Sequence, residues 1–177
     1  MLYLPKRAVF IHIPRTGGHS VKAAISETCF KNNIAAVAST VPPELKRFDR
    51  IQIHQTAPVL KGHIKEWGDI YRFAIHRTLS DRLDSACNWI QSLKEADTID
   101  PNMSDELREL VEMDNYREWI LENWKTHTTQ FFTRGVYGED LGVEIYSFAE
   151  LNERWHEICD KCQIPRCNLE KLNGGSR

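Results

Sequence analysis

Val9-Phe-Ile-His-Ile-Pro-Arg-Thr-Gly-Gly-His-Ser-Val-Lys-Ala-Ala-Ile25 passes from a solid apolar run through a Gly-Gly turn into an amphipathic segment, the pattern of a strand, a tight loop and a helix start. The run from Ala8 to Ile13 lacks polar alternation apart from His12, as expected for a strand of a parallel sheet covered on both faces. Pro14 ends it. Gly17 and Gly18 can take backbone angles closed to other residues, so successive N–H groups can point into one concavity. Val21, Ala24, Ile25 and Thr28 then recur at helical spacing. They predict a helix whose N-terminus brings unpaired N–H groups and partial positive charge to the same concavity. The geometry suits a phosphate.

The spacing says which phosphate. A nucleotide-hydrolase P-loop needs Gly-x-x-x-x-Gly-Lys-Ser/Thr. With Gly18 as the second Gly and Ser20 as the hydroxyl, Ile13 stands where the first Gly belongs and His19 replaces the Lys, while the cation has moved to Arg15. Such a loop holds a terminal phosphate but lacks the Lys that bridges the outer phosphates of a triphosphate. The stretch reads as a P-loop relative that binds a 5′-phosphate without hydrolysing ATP.

Working outward, Ile34 to Ala38 is a short apolar run that predicts a second strand, and Arg50-Ile-Gln-Ile-His54 alternates as a strand with His54 at its C-terminal end. In open α/β sheets that end is where ligands sit. Ala57 to Trp67 predicts a short helix and Ile70 to Ile75 another strand, left by His76-Arg77-Thr78. Leu79, Leu83, Ala86, Cys87, Ile90 and Leu93 form one helical stripe that Thr78 or Ser80 can cap, and Arg77, Arg82 and Ser85 lie off it, free to face a ligand. Two further helical segments carry Leu107, Leu110 and Val111, then Tyr116, Trp119, Ile120 and Trp124; this aromatic stripe reads as packing. Val143 to Tyr146 predicts a late strand, and Phe148, Leu151, Trp155, Ile158 and Cys162 mark a last helix.

His12-Ile-Pro-Arg-Thr-Gly-Gly-His-Ser20 resembles the His-Ile-Pro-Lys-Thr-Gly-Gly-Thr-Ser loop of sulfotransferases that use 3′-phosphoadenosine 5′-phosphosulfate (PAPS), in the branch that includes the heparan sulfate 2-O-sulfotransferases. Arg15 keeps the charge but offers a planar fork in place of an ammonium, and His19 takes the place of a Thr hydroxyl. Arg77-Thr-Leu-Ser-Asp-Arg-Leu-Asp-Ser85 is similar to the family's Arg-x-Pro-x-x-Arg-x-x-Ser segment, with Leu79 in place of Pro. The resemblance implies that Arg15, Thr16, Gly17, Gly18, His19 and Ser20 hold the 5′-phosphate, with Arg15 also catalytic, and that Arg77 and Ser85 hold the 3′-phosphate. It makes His54 the candidate base, and an imidazole that titrates near pH ~6.5 can accept a hydroxyl proton at neutral pH. His12, His19, His63 and His76 compete for that role, though His12 reads as strand core. Asn173-Gly-Gly-Ser-Arg177 resembles the family's Asn-x-Ser-x-Arg ending, which folds over the nucleotide.

The implied architecture is one α/β, P-loop-like domain over residues 1–177, a central mostly parallel sheet flanked by helices. The implied activity is transfer of a sulfuryl group from PAPS to a hydroxyl of a small-molecule or carbohydrate acceptor, with no metal. Two other readings stand beside it: a P-loop kinase of a small molecule or nucleotide, and a non-catalytic nucleotide-binding relative.

Composition agrees. The 23 basic and 25 acidic residues give no global attraction for nucleic acid or an anionic membrane, so any positive site is local. The opening Met-Leu-Tyr-Leu-Pro-Lys-Arg is charged too early for a secretory signal, and no apolar run approaches the roughly 20 residues of a membrane span. The expected setting is cytoplasmic. Five cysteines point to reduced thiols, and Cys159-Asp-Lys-Cys162 with Cys167 reads as buried thiols, since a structural zinc site needs a fuller set of ligands. Trp67, Trp89 and Trp124 could stack on a sugar, but all five tryptophans can equally be core.

Overall fold

The computed structural model describes residues 1–38, 54–96 and 105–169. Among them the elements run β1 (Leu2–Leu4), β2 (Ala8–Ile11), α1 (Gly18–Lys31), β3 (Val37–Ala38), α2 (Ala57–His63), β4 (Tyr71–His76), α3 (Leu79–Glu95), α4 (Asp105–Glu112), α5 (Tyr116–Trp124), α6 (Thr129–Thr133), β5 (Glu144–Ser147) and α7 (Leu151–Lys161). They fall into two compact units, Met1–Arg77 with Thr129–Arg177, and Thr78–Thr128. No Gly-, Ser- or Pro-rich linker marks either junction. Thr78 is itself the cap of α3, its Oγ1 accepting from the Asp81 N–H at 3.1 Å, so the sequence shows no boundary there.

The first unit is built on a mixed sheet of order β3-β1-β2-β4-β5. β2, β4 and β5 are parallel neighbours, and β1 runs antiparallel to both β2 and β3, so four strands point one way and β1 alone opposes them. The unbroken apolar run of β2 has the cause the sequence suggests, because each of its faces meets a different core. Ala8 and Phe10 join Val21, Ala24 and Ile25 of α1 and Leu151, Trp155 and Ile158 of α7. Val9 and Ile11 join Ala57 and Leu60 of α2, Trp67 and Phe132. Each fully buried Val, Leu, Ile or Phe among them contributes roughly 1.5–3 kcal/mol. Phe10 stacks on Phe73 of β4 with ring centroids 5.0 Å apart, which ties the two central strands on the α1 side.

Several boundaries differ from expectation. Leu2–Leu4 is a strand that the sequence reading did not register; its three residues pair with β2 through a turn in which Lys6 takes φ 60°. The strand expected over 34–38 is confined to Val37–Ala38 and lies beside β1. Phe148 precedes α7 rather than belonging to it. The strand expected over Arg50–His54 lies outside the described residues except for His54 itself.

The second unit packs α3 against α4 and α5 around Ala86, Cys87, Ile90, Val111, Tyr116 and Ile120. The aromatic stripe of α5 is packing on its Tyr116 side, while Trp119 is exposed. Arg82 corrects its expected place. It stands four residues before Ala86 and eight before Ile90, hence on the buried face. Its guanidinium is buried and donates to the His127 carbonyl at 2.6 Å, and burial pushes its pKa down to about 10.

Candidate functional site

β2, β4 and β5 end side by side, with Ile11 opposite Ala74 and His76 opposite Ser147. The segments leaving their C-terminal ends carry Arg15, Arg77 and Phe148. After β2 the chain turns through Arg15 at φ 63° and Gly17 at φ 80°, two left-handed residues either side of Thr16. Thr16 is fully buried and donates its hydroxyl proton to the Ile13 carbonyl at 2.9 Å. That hydrogen bond holds the loop across three residues. Gly17 then caps α1 with no side-chain hydrogen bond. A Cβ at Gly17 would lie 2.8 Å from Cε2 of Phe148, and one at Gly18 would lie 1.9 Å from Cδ2 of His12. Both positions therefore exclude a side chain.

The charges gathered at this turn are of one sign. Burial lowers the pKa of Arg15, and the Arg77 guanidinium lowers it further, so the two cations from neighbouring strand ends feel each other. His19, on the first turn of α1, is lowered by burial and then by Lys22 and Arg15. Arg77 lies over the Phe148 ring, its guanidinium carbon 5.1 Å from the centroid. Ser20 is half-buried on the first turn of α1.

Behind the turn stand His12 and His54, with ring centroids 4.5 Å apart; His19 meets His12 edge-on at 5.4 Å. The His12 carbonyl lies 2.9 Å from Nδ1 of His54. A carbonyl can only accept, so Nδ1 carries the proton and Nε2 of His54 keeps its lone pair. Burial, with His19 and Lys22 acting in the same direction, pushes the His54 pKa down to about 4 against the opposing effect of that hydrogen bond. Burial and the same positive surroundings push His12 down to about 2. Nδ1 of His12 is buried with no hydrogen-bond partner among the described residues. Such an orphan costs on the order of 1–3 kcal/mol, a departure from consistent packing that is expected where a site is built.

The first unit thus brings together Arg15, Thr16, Gly17, Gly18, His19, Ser20, His54 and Arg77. Ser85, which the resemblance pairs with Arg77, is half-buried on α3 of the second unit. Asn173 and Arg177 lie outside the described residues. His76 is engaged with the Thr129 hydroxyl at 2.7 Å, and His63 is exposed at the end of α2, so neither competes with His54 at the turn. Phe148 is the site residue that sequence reasoning placed elsewhere; the available signal was an aromatic directly after the late strand. Trp67 is core, its indole N–H donating to the Leu141 carbonyl at 3.2 Å. Cys159 and Cys162 are buried free thiols, and burial pushes Cys159 up to about 11 and Cys162 further. Among the described residues no cluster of His, Cys, Asp and Glu is placed to hold a metal ion, and no helix is long and apolar enough to cross a membrane.

Comparison with protein-family models, with curated proteins and with solved structures finds no match.

Proposed function

We propose that this chain transfers a sulfuryl group from PAPS to a hydroxyl of a small-molecule or carbohydrate acceptor on a P-loop-like scaffold. The observation that carries the reading is the convergence of Arg15 and Arg77, from two different strand ends, on the glycine turn that opens α1. A phosphate at a helix N-terminus accounts for one cation. A second cation brought to the same place, against the repulsion of the first, fits a ligand with a second phosphate, and PAPS differs from ATP in carrying one on the 3′-oxygen.

In this scheme the acceptor oxygen forms the new S–O bond as the S–O bond to the 5′-phosphate breaks, in line and through a loose transition state. Arg15 and the amides of Gly17 to Ser20 take up the charge that grows on the leaving phosphate oxygen. The acceptor proton passes to Nε2 of His54, which is neutral at pH 7. The negative charges of bound PAPS raise the His54 pKa toward the range in which imidazole works as a base. A kinase would need an outer-phosphate Lys at the position of His19, and Lys22 lies almost a turn further into α1.

The test is turnover of sulfur-labelled PAPS in magnesium-free buffer with a panel of saccharide and small hydroxyl acceptors. Label transfer is expected for the native chain, with a fall of about 10²–10³-fold in Arg15→Ala and of similar size in His54→Ala. Undiminished activity in His54→Ala would remove that residue from the mechanism. Phosphate transfer from ATP and magnesium, with none from PAPS, would replace the reading by the kinase.

A further inference from the structure

Phe148 touches both halves of the site. Its edge closes on Gly17, where a Cβ would lie 2.8 Å from Cε2, and its face carries the Arg77 guanidinium at 5.1 Å. Its backbone is fixed as well: the Phe148 N–H donates to the His76 carbonyl at 2.7 Å, which extends the β4–β5 pairing one step past His76 opposite Ser147. Arg77 and Phe148 are therefore the first residues beyond two paired strands, held side by side before either side chain is considered. Phe148 is 41 % exposed, beside the half-buried His76, Arg77 and Ser147.

From these contacts we infer that Phe148 is a positioning residue, which holds the Arg77 guanidinium beside the glycine turn and so sets the preference for a nucleotide with a 3′-phosphate. The inference rests on the reading of the site as one for PAPS. Its physical basis is the electrostatics of the protein's own groups at the turn. Arg15 repels Arg77, so something must keep the second cation in place until an anion arrives. A carboxylate would do so more strongly but would then compete with the phosphate and repel it. The face of an aromatic ring attracts a guanidinium through its quadrupole while carrying no net charge, so the cation is oriented and still available to an anion. The turn meets the edge of the ring and the guanidinium its face, and a side chain at Gly17, already disfavoured by φ 80°, would run into that edge.

The experiment uses the full chain with two probes, adenosine 3′,5′-bisphosphate and adenosine 5′-monophosphate, titrated by calorimetry against the native chain, Phe148→Leu and Phe148→Trp. Phe148→Leu is expected to weaken the bisphosphate about fivefold more than the monophosphate, the scale of one cation–π contact; Phe148→Trp is expected to keep the native preference. Equal losses for both ligands would overturn the inference, because they would make the ring a stacking platform for the base or a structural prop. An unchanged preference in Phe148→Leu would overturn it too. In Arg77→Gln the further change Phe148→Leu is expected to have no effect on bisphosphate affinity, and this arm remains decisive where the single variant is less stable. A ligand-free measurement separates this inference from the function it rests on: the Arg77 side-chain Nε–H resonance is expected to carry an upfield ring-current shift that Phe148→Leu removes. With that shift present and no preference for the bisphosphate, the PAPS reading fails and the role of Phe148 in placing Arg77 stands; with the shift absent, the inference itself fails.

Discussion

The two ends of β4 and β5 hold cations in opposite ways. At their N-terminal ends, Lys161 of α7 lies 2.7 Å from both Glu144 and Glu157, Arg154 pairs with Glu157 at 2.8 Å, and the hydroxyls of Tyr71 and Tyr146 meet at 2.7 Å within the same network. There the carboxylates raise the pKa of Lys161 and of Arg154. At the C-terminal ends burial lowers Arg15, His19 and His54, and neighbouring basic groups lower all three further. One end uses charge to hold α7 to the sheet. The other concentrates charge of one sign, which costs stability and, on the proposed function, prepares a place for an anion.

The sharpest way to break this contrast is at the turn itself. Gly18→Ala puts a methyl group into the His12 ring and is expected to lower stability by about 3 kcal/mol, the upper range for overpacking, measured by urea unfolding. An unchanged midpoint would mean that His12 does not define the floor of the site.

Acid acts on the same end. The folded pKa values of His54 and His12, about 4 and about 2, lie below the unfolded value near 6.5, so below that pH the unfolded chain binds more protons than the folded one. The stability these neutral rings contribute is fully present above about pH 6.5. It is lost as pH falls toward 4 for His54 and further for His12, by up to about 1.4 kcal/mol per pH unit for each ring. Thermal melts between pH 8 and pH 4.5 should show the loss, and His54→Gln should remove about half of it, leaving the share of His12. A melting temperature independent of pH over this range would show that the histidines titrate normally.

Single substitutions then compare the two ends directly. Lys161→Met at the paired end is expected to cost about 1 kcal/mol, less at high salt because the pairs are partly exposed. Arg77→Gln at the other end is expected to change stability by under about 0.5 kcal/mol, since relief from Arg15 offsets the lost contact with Phe148. Equal losses at the two ends would remove the distinction between them.

The deciding stretch was legible because each of its features has a local cause. Unbroken apolarity marks a strand buried on both faces, paired glycines mark a turn that excludes side chains, and helical spacing marks α1; the run Ile70 to Ile75 gave β4 to within one residue for the same reason. What was not legible depends on tertiary neighbours. Leu2–Leu4 is too short to show a period and is a strand because β2 and β3 flank it. Arg82 is a charged residue on a buried face, where its guanidinium meets the His127 carbonyl, a contact that no local pattern shows. Phe148 fits the apolar spacing of α7, yet its place follows from strand pairing that brings it to Gly17 and Arg77. At the site itself, residue types and order could be read from the chain, while the nearness of Arg77 to Arg15 required the parallel pairing of β2 with β4.

On the proposed function, the C-terminal ends of β2, β4 and β5 form a seat for two phosphates of one adenylate. The most direct test is the ratio of affinities for adenosine 3′,5′-bisphosphate and adenosine 5′-monophosphate in magnesium-free buffer, for the native chain and for Arg77→Gln. The expected result is a preference for the bisphosphate of about tenfold or more, abolished in Arg77→Gln with the monophosphate unaffected, as for one charge-assisted contact. Equal affinity of the native chain for the two ligands, or binding of ATP alone and only with magnesium, would contradict it.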